Sequence, residues 1–131
     1  MTAAPQNSPT LRIFVVEDHS DSLELLRIYL EYCGYVVLSA RSKTEALKEM
    51  PIADCDVLLS NIGLPDGNGW DLIKEAGTLR PRYAIAMSGF GMEADCERSA
   101  NAGFRHHLVK PVSVKELTAI LDQVLIELRE N

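Results

Sequence analysis

The chain has 131 residues, of which 47% are hydrophobic and 24% are charged, and its net charge is −6 with a pI near 5.0. This size and composition are typical of one globular domain, and the acidic balance argues against direct binding to nucleic acid, which needs a basic surface. No apolar run is long enough for a membrane span or a signal peptide, so we expect a cytoplasmic protein.

The N-terminal residues 1–10 are rich in Pro, Ala, Ser and Thr without periodicity, and we expect them to form a flexible leader before a single domain over residues 11–131. The cysteines are odd in number and contain no CxxC pair, which favours reduced thiols over a disulfide framework or a zinc site. We expect Cys33, Cys55 and Cys96 to be small buried residues.

Short apolar runs alternate with helical patterns along the rest of the chain. The runs are Leu11–Val16, Val36–Ala40, Cys55–Ser60, Tyr83–Ser88 and Phe104–Val109. Three of them, the first, third and fourth, are nearly continuous in apolar residues, as expected of central parallel strands that are covered on both faces. The second and fifth are more mixed, which suits strands nearer the edges of a sheet.

Helix signals separate these runs. Two capping boxes, Ser42–Glu45 and Ser113–Glu116, predict the starts of the second and fifth helices. Gly34 is placed to end the first helix as a C-cap. The predicted first, third and fourth helices span about Ser20–Cys33, Asn68–Gly77 and Met92–Asn101.

Five alternating β-α units predict an α/β fold, an open and doubly wound parallel sheet of the flavodoxin-like type. The commonest strand order is 2-1-3-4-5, in which the carboxyl ends of the first and third strands lie side by side at the switch point where ligands bind. Polar residues stand at four of the strand ends, and we expect them to converge in one crevice. They are Glu17, Asp18, Asn61, Ser88 and Lys110.

The polar residues are suited to binding a metal and a phosphoryl group together. Adjacent carboxylates, Glu17 and Asp18, form a hard oxygen site for Mg²⁺, although the same pair can simply cap the first helix. Lys110 can neutralise a phosphoryl group, and Pro111 after it makes this bond a candidate for a cis peptide. Ser88 can donate to a phosphoryl oxygen. The alternative for Lys110 is a solvated lysine after an edge strand, and the alternative for Ser88 is a hydroxyl that only ends a strand.

Four motifs in order resemble the receiver domain of two-component response regulators, the CheY-like superfamily, over about Leu11 to Leu128. The segments that carry the resemblance are VVEDHSDS, LLSNIGLPDGNGWDL, AMSGF and HHLVKPV. The resemblance implies a signalling domain rather than an enzyme. Such a domain accepts a phosphoryl group from a histidine kinase or a phosphotransfer protein and passes its phosphorylation state to an output partner.

The resemblance also implies a role for each residue of the crevice. Mg²⁺ would be held by the acidic pair, the acceptor position and a backbone carbonyl, here Glu17, Asp18, Asn61 and Gly63. An aspartyl phosphate would contact Ser88 and Lys110. Ser88 and His107 occupy the switch positions: Ser88 would move toward the phosphoryl group, His107 would rotate inward, and the surface of the fourth helix, fifth strand and fifth helix would change. The alternative for His107 is an edge-strand residue without a special role.

Asn61 stands where receivers normally carry the aspartate nucleophile. A carboxamide is a poor nucleophile and forms no stable acyl phosphate, and the loss of one negative charge should weaken Mg²⁺ binding. Two explanations stay open. Asn61 belongs to a natural pseudo-receiver that signals by binding, or it replaces the aspartate of a working receiver and holds it unphosphorylated. The retained Glu17, Ser88 and Lys110 favour the second explanation.

Other functions remain as alternatives. A phosphorylation-independent interaction module would use the fourth helix and its neighbours, and a homodimer is a further option. A flavodoxin-like cofactor protein is disfavoured, because the acidic pair would repel a phosphate. Trp70 is expected to anchor the third helix, with a place near the mouth of the crevice as the alternative. The chain stops at Asn131 without room for a helix-turn-helix domain, so we expect output through another protein or a place within a hybrid histidine kinase.

Overall fold

The computed structural model describes residues 10–89 and 93–130, so the predicted leader lies outside the described residues except for Thr10. Within these ranges, strands and helices alternate along the chain. In chain order the elements are β1 (Arg12–Val16), α1 (Ser20–Tyr32), β2 (Val36–Ala40), α2 (Lys43–Ala53), β3 (Val57–Asn61), β4 (Gly63–Leu64), β5 (Gly67–Asn68), α3 (Gly69–Ala76), β6 (Tyr83–Ser88), α4 (Glu93–Ala102), β7 (His106–Val109) and α5 (Val114–Glu130).

The main sheet has five parallel strands in the order β2-β1-β3-β6-β7. Counted over these five long strands, this order is 2-1-3-4-5, which confirms the predicted doubly wound fold. The central strands β1, β3 and β6 are buried along nearly their whole length, whereas β2 and β7 are partly exposed. The predicted division into continuous apolar central strands and mixed edge strands is therefore confirmed.

The sheet is covered by an apolar layer on each face, because successive side chains of a strand point to opposite sides. Along β1, Ile13 and Val15 pack in the cluster that includes side chains of α1 and α5. Phe14 and Val16 pack in the opposite cluster with side chains of α2 and α3. Burial on both faces holds the carboxyl ends of β1, β3 and β6 at fixed positions relative to one another.

The helix ends follow the local signals in the sequence. The Ser42 hydroxyl accepts from the Glu45 backbone N–H at 3.1 Å, and the Ser113 hydroxyl accepts from the Glu116 N–H at 3.2 Å. Gly34, with φ of +96°, follows the end of α1 in the left-handed region that glycine tolerates. The predicted start of the fourth helix at Met92 lies outside the described residues, and the helix is described from Glu93 onward.

A two-stranded hairpin formed by β4 and β5 was not predicted from the sequence, because each strand has only two residues. At its turn, the Asp66 carboxylate accepts from the Lys43 N–H at 2.7 Å, the Thr44 N–H at 2.8 Å and the Thr44 hydroxyl at 2.6 Å. These bonds, the Thr44 hydroxyl first, lower the pKa of Asp66 from 3.8 to about 2. Asp66 thereby satisfies N–H groups at the start of α2 and ties the hairpin to this helix.

The expectation that all three cysteines are small buried residues is wrong. Cys33 is exposed at the end of α1, while Cys55 and Cys96 are half-buried. All three are free thiols, and burial raises the pKa of the Cys55 thiol to about 11. Among the described helices, none is both long enough and apolar enough to cross a membrane.

Candidate functional site at the carboxyl edge of the sheet

Five of the predicted site residues line a crevice of about 580 Å³ at the carboxyl edge of the sheet, namely Asp18, Asn61, Gly63, Ser88 and Lys110. Glu17 and His107 contact these lining residues. Asn61 is the last residue of β3 and lies opposite Met87 of β6. Ser88 ends β6, and its carbonyl accepts from the Lys110 N–H at 2.7 Å, which places the start of the segment after β7 beside it. The Lys110–Pro111 peptide bond is cis.

The Asn61 side chain lies between the two carboxylates that follow β1. Its Nδ2 donates to Glu17 Oε2 in a short hydrogen bond and to Asp18 Oδ1 at 3.1 Å. Its Oδ1 is buried and has no hydrogen-bond partner among the described residues. The amide nitrogen therefore faces the acidic pair, where a carboxylate oxygen in its place would be repelled.

Glu17 is the most deeply buried charged group of the crevice, with 0% of its surface exposed. It also accepts from Lys110 Nζ at 2.8 Å and from the His19 backbone N–H at 3.1 Å. A buried carboxylate is tolerated only when it is paired and hydrogen-bonded, and Glu17 meets this condition with three different donors. In the described structure, the ammonium of Lys110 is paired with Glu17.

The oxygen atoms near Asn61 are of the type that Mg²⁺ uses. Glu17 and Asp18 supply carboxylates, and the hairpin places Gly63 at the crevice wall. Within the described ranges, no group of three or more Asp, Glu, His or Cys side chains is arranged to hold a metal. The donor set is thus two carboxylates plus neutral oxygens, and it fits Mg²⁺ if Asn61 presents its unsatisfied Oδ1. The metal-binding roles of these four residues stay a prediction.

The two residues predicted to form the switch, Ser88 and His107, contact each other directly. Ser88 Oγ is 2.7 Å from His107 Nε2, and Ser99 Oγ is 2.8 Å from His107 Nδ1. His107 is half-buried, whereas its neighbour His106 is exposed. The structure brings Ser88 and His107 together, and their role as a switch stays a prediction.

Trp70 makes contacts beyond those needed to anchor the third helix. Its Nε1 donates to Ser99 Oγ of α4 at 2.9 Å, and the Arg98 guanidinium lies 3.9 Å from the centre of the indole ring. The ring also lines the crevice. Trp70 therefore joins α3 to α4 beside the site.

Ser99 is a residue that the sequence reasoning missed. It is 1% exposed and is the buried residue of α4 among those described. The available signal was its place in the inward-facing stripe of a helix with few apolar residues, where a serine needs a hydrogen-bond partner.

Comparisons with known proteins agree with this arrangement. The sequence model of the response regulator receiver domain matches residues 13–122. The chain is 32% identical to the polar-differentiation response regulator DivK of Brucella ovis over 108 residues, which cover 80% of this chain and 88% of DivK. It is 31% identical to an uncharacterized 14.6 kDa protein of Leptolyngbya boryana over 121 residues, covering 90% and 92%.

A crystal structure of a CheY-like receiver domain protein from Methanospirillum hungatei JF-1 superposes with a TM-score of 0.85 at 29% identity, covering 93% of this chain and 98% of the other. Receiver domains are generally non-enzymatic signalling domains that bind Mg²⁺ at their acidic pocket. They interact with kinases or phosphotransfer proteins and with output partners. On its sequence, its fold and the residues of its crevice, this chain belongs to the response regulator receiver domain family.

Proposed function

We propose that this chain is a receiver that cannot be phosphorylated, because a carboxamide occupies the position of the nucleophile. The observation that carries the proposal is the Asn61 amide, which donates to both Glu17 and Asp18 within an otherwise complete site. Phosphorylation needs a carboxylate oxygen that attacks phosphorus in line. Asn61 has no such oxygen, while Ser88 and Lys110 remain at the crevice.

Mg²⁺ would be held by the carboxylates of Glu17 and Asp18, Asn61 Oδ1 and the carbonyl of Gly63. When bound, the ion supplies positive charge that offsets the charge of a phosphoryl group. Asn61 now presents Nδ2 to the carboxylates, so metal binding requires a half-turn of the amide and the loss of two hydrogen bonds. This cost, together with the missing negative charge, weakens the affinity relative to an aspartate.

The output face is proposed to consist of α4, β7 and α5, with Ser88 and His107 as the switch. Two exposed apolar residues support this assignment, since Val109 at the end of β7 is 47% exposed and Val114 at the start of α5 is 48% exposed. His107 lies on the same strand and contacts Ser88, so a change at the crevice has a direct path to this face. The partner is a protein, because the net charge of −6 does not favour nucleic acid.

The test is the intact mass of the chain after treatment with acetyl phosphate and Mg²⁺, compared with its Asn61→Asp variant. We expect the variant alone to gain the mass of one phosphoryl group, and a metal chelator to abolish the gain. Asn68→Asp, which introduces the same change at the N-cap of α3, is the matched control and should stay unmodified. A folded Asn61→Asp variant that gains no mass would contradict the proposal.

The alternative is a pseudo-receiver that binds its partner without phosphorylation. The mutual contacts of Asn61, Glu17 and Lys110 favour it, because they satisfy the buried Glu17 carboxylate without any ligand. An unmodified Asn61→Asp variant would make this the better account. The single domain over residues 11–131, a homodimer, a place in a hybrid histidine kinase and a cytoplasmic location stay predictions.

A further inference from the structure

Ser99 is an unusual buried polar residue in this fold. The buried polar or charged residues of the described chain are Glu17, Ser60, Asn61, Ser88 and Ser99. The first four lie at the carboxyl edge of the sheet, whereas Ser99 lies on helix α4. Burying a hydroxyl is unfavourable unless it is hydrogen-bonded, and Ser99 has two side-chain partners from two different elements.

A continuous chain of hydrogen bonds passes through Ser99. It runs from Trp70 Nε1 to Ser99 Oγ at 2.9 Å, from Ser99 Oγ to His107 Nδ1 at 2.8 Å, and from His107 Nε2 to Ser88 Oγ at 2.7 Å. Both ends of the chain line the crevice. These hydrogen bonds therefore connect the Ser88 hydroxyl at the crevice to α4 and α3 through side chains alone.

The chemistry of the four groups links their proton positions. An indole N–H only donates, so Ser99 Oγ accepts from Trp70. A neutral imidazole carries one proton, so its two nitrogens have opposite roles. When Ser99 donates to His107 Nδ1, Nε2–H must donate to Ser88 Oγ. Ser88 then acts as an acceptor toward His107 and keeps its own proton for another acceptor, as contact with a phosphoryl oxygen requires.

We propose that Ser99 and Trp70 are positioning residues of the switch. Trp70 orients the Ser99 hydroxyl, Ser99 donates to His107 Nδ1, and this fixes the Nε2–H tautomer of His107 against Ser88. Arg98, stacked on the indole, holds Trp70 in place. The use of these hydrogen bonds in signalling rests on the proposed receiver function. The tautomer of His107 and the coupling of Ser88 to Trp70 do not rest on it.

The experiment is nitrogen NMR of the imidazole of His107 and of the indole of Trp70, which is the single tryptophan in the sequence and has one indole signal. At a pH where the imidazole is neutral, we expect the Nε2–H tautomer. Ser99→Ala should remove this preference, and Ser99→Thr, which keeps the hydroxyl, should restore it. Finding the Nδ1–H tautomer in the parent chain would overturn the proposal.

Coupling along the chain is measured with Ser88→Ala. This variant should shift the Trp70 indole signal in the parent chain, and the shift should disappear in the Ser99→Ala background. Ser39→Ala is the control, because Ser39 lies on the edge strand β2 and its hydroxyl is bonded to Arg27 of α1. This variant should leave both signals unchanged. An equal shift in both backgrounds would overturn the proposal. If Ser99→Ala does not fold, Trp70→Phe should cause the same loss of tautomer preference.

A final comparison separates this proposal from the receiver function. When Asn61→Asp is treated with acetyl phosphate, phosphorylation should shift the Trp70 indole signal. The shift should be smaller when Ser99→Ala is added to this variant, and it should be fully retained when Ser99→Thr is added instead. Phosphorylation that shifts the signal equally in all three backgrounds would overturn the signalling role of Ser99. If Asn61→Asp gains no phosphoryl group, the receiver function fails, and the tautomer and Ser88→Ala measurements decide the proposal by themselves.

Discussion

The two sides of the crevice differ in how their polar groups are satisfied. On the side of Asn61, called the acceptor side below, the Asn61 amide donates to the carboxylates of Glu17 and Asp18. The Lys110 ammonium pairs with Glu17, so this side is held by charged groups. On the side of Ser88 and His107, called the switch side below, side chains from β6, β7, α4 and α3 form a chain of hydrogen bonds. The arrangement of the acceptor side is set by charge, and that of the switch side is set by which group donates each hydrogen bond.

This difference gives the physical basis of the proposal that one side chain silences phosphorylation while the fold and the contacts of Ser88 remain. Asn and Asp have nearly the same shape, so the packing of β3 does not distinguish them. The acceptor side distinguishes them through charge, because Asn61 donates where a carboxylate would repel. The switch side contacts Ser88 rather than Asn61, and its geometry depends on how α4 packs on β7.

The largest expected effect is on the acceptor side. Glu17→Gln removes the charge that pairs with Lys110 in a buried position, and we expect it to lower the free energy of unfolding by about 3 kcal/mol. Urea unfolding measures the change. Glu127→Gln is the matched control, because its pair with Arg105 has the same 2.8 Å distance but both partners are partly exposed, and its effect should be small. Equal losses in both variants would contradict the comparison.

The next effect tests the charge balance at the acceptor position. Asn61→Asp replaces two donated hydrogen bonds by repulsion between carboxylates, and without metal we expect it to lower the free energy of unfolding by about 2 kcal/mol. Mg²⁺ should restore the lost stability, because the ion binds the folded variant. Unfolding curves with chelator and with Mg²⁺ measure both changes. A variant as stable as the parent chain in chelator would show that the hydrogen bonds from the amide to the acidic pair do not stabilise the fold.

A smaller effect is expected on the switch side. Ser99→Ala removes the hydroxyl that accepts from the Trp70 indole N–H and contacts His107 Nδ1, and we expect it to lower the free energy of unfolding by about 1.5 kcal/mol. Urea unfolding with tryptophan fluorescence measures it. Ser99→Thr keeps the hydroxyl and should recover most of the stability. If Thr destabilises as much as Ala, packing around α4 rather than hydrogen bonding sets the cost.

The smallest effect lies outside both sides, at the turn of the β4–β5 hairpin. The pKa of Asp66 is lowered from 3.8 to about 2, first by the Thr44 hydroxyl, so its contribution to stability is fully present above 3.8 and is lost as the pH falls toward 2. Asp66→Asn should therefore reduce stability modestly at neutral pH, and the difference from the parent chain should vanish near pH 2. Thermal unfolding over this pH range is the measurement, and a difference that does not depend on pH would contradict it.

Several parts of the fold and the site could be predicted because their signals lie in contiguous residues. The continuous apolar runs before Glu17, Asn61 and Ser88 indicate buried parallel strands, and the strand order then brings their polar ends together. The β4–β5 hairpin escaped prediction because two-residue strands have no periodicity. The exposure of Cys33 escaped it because a helix end carries no local sign of which side faces solvent.

The sequence by itself determined the doubly wound sheet and the polar residues that end its strands, among them the carboxamide of Asn61, since apolar patterning and residue type are local properties. Only the tertiary structure decided which atom of Asn61 faces the acidic pair, because that choice depends on charges brought together from separate strands. It also decided that Ser99 contacts both His107 and Trp70, because this contact depends on the packing of α4 against β7 and α3.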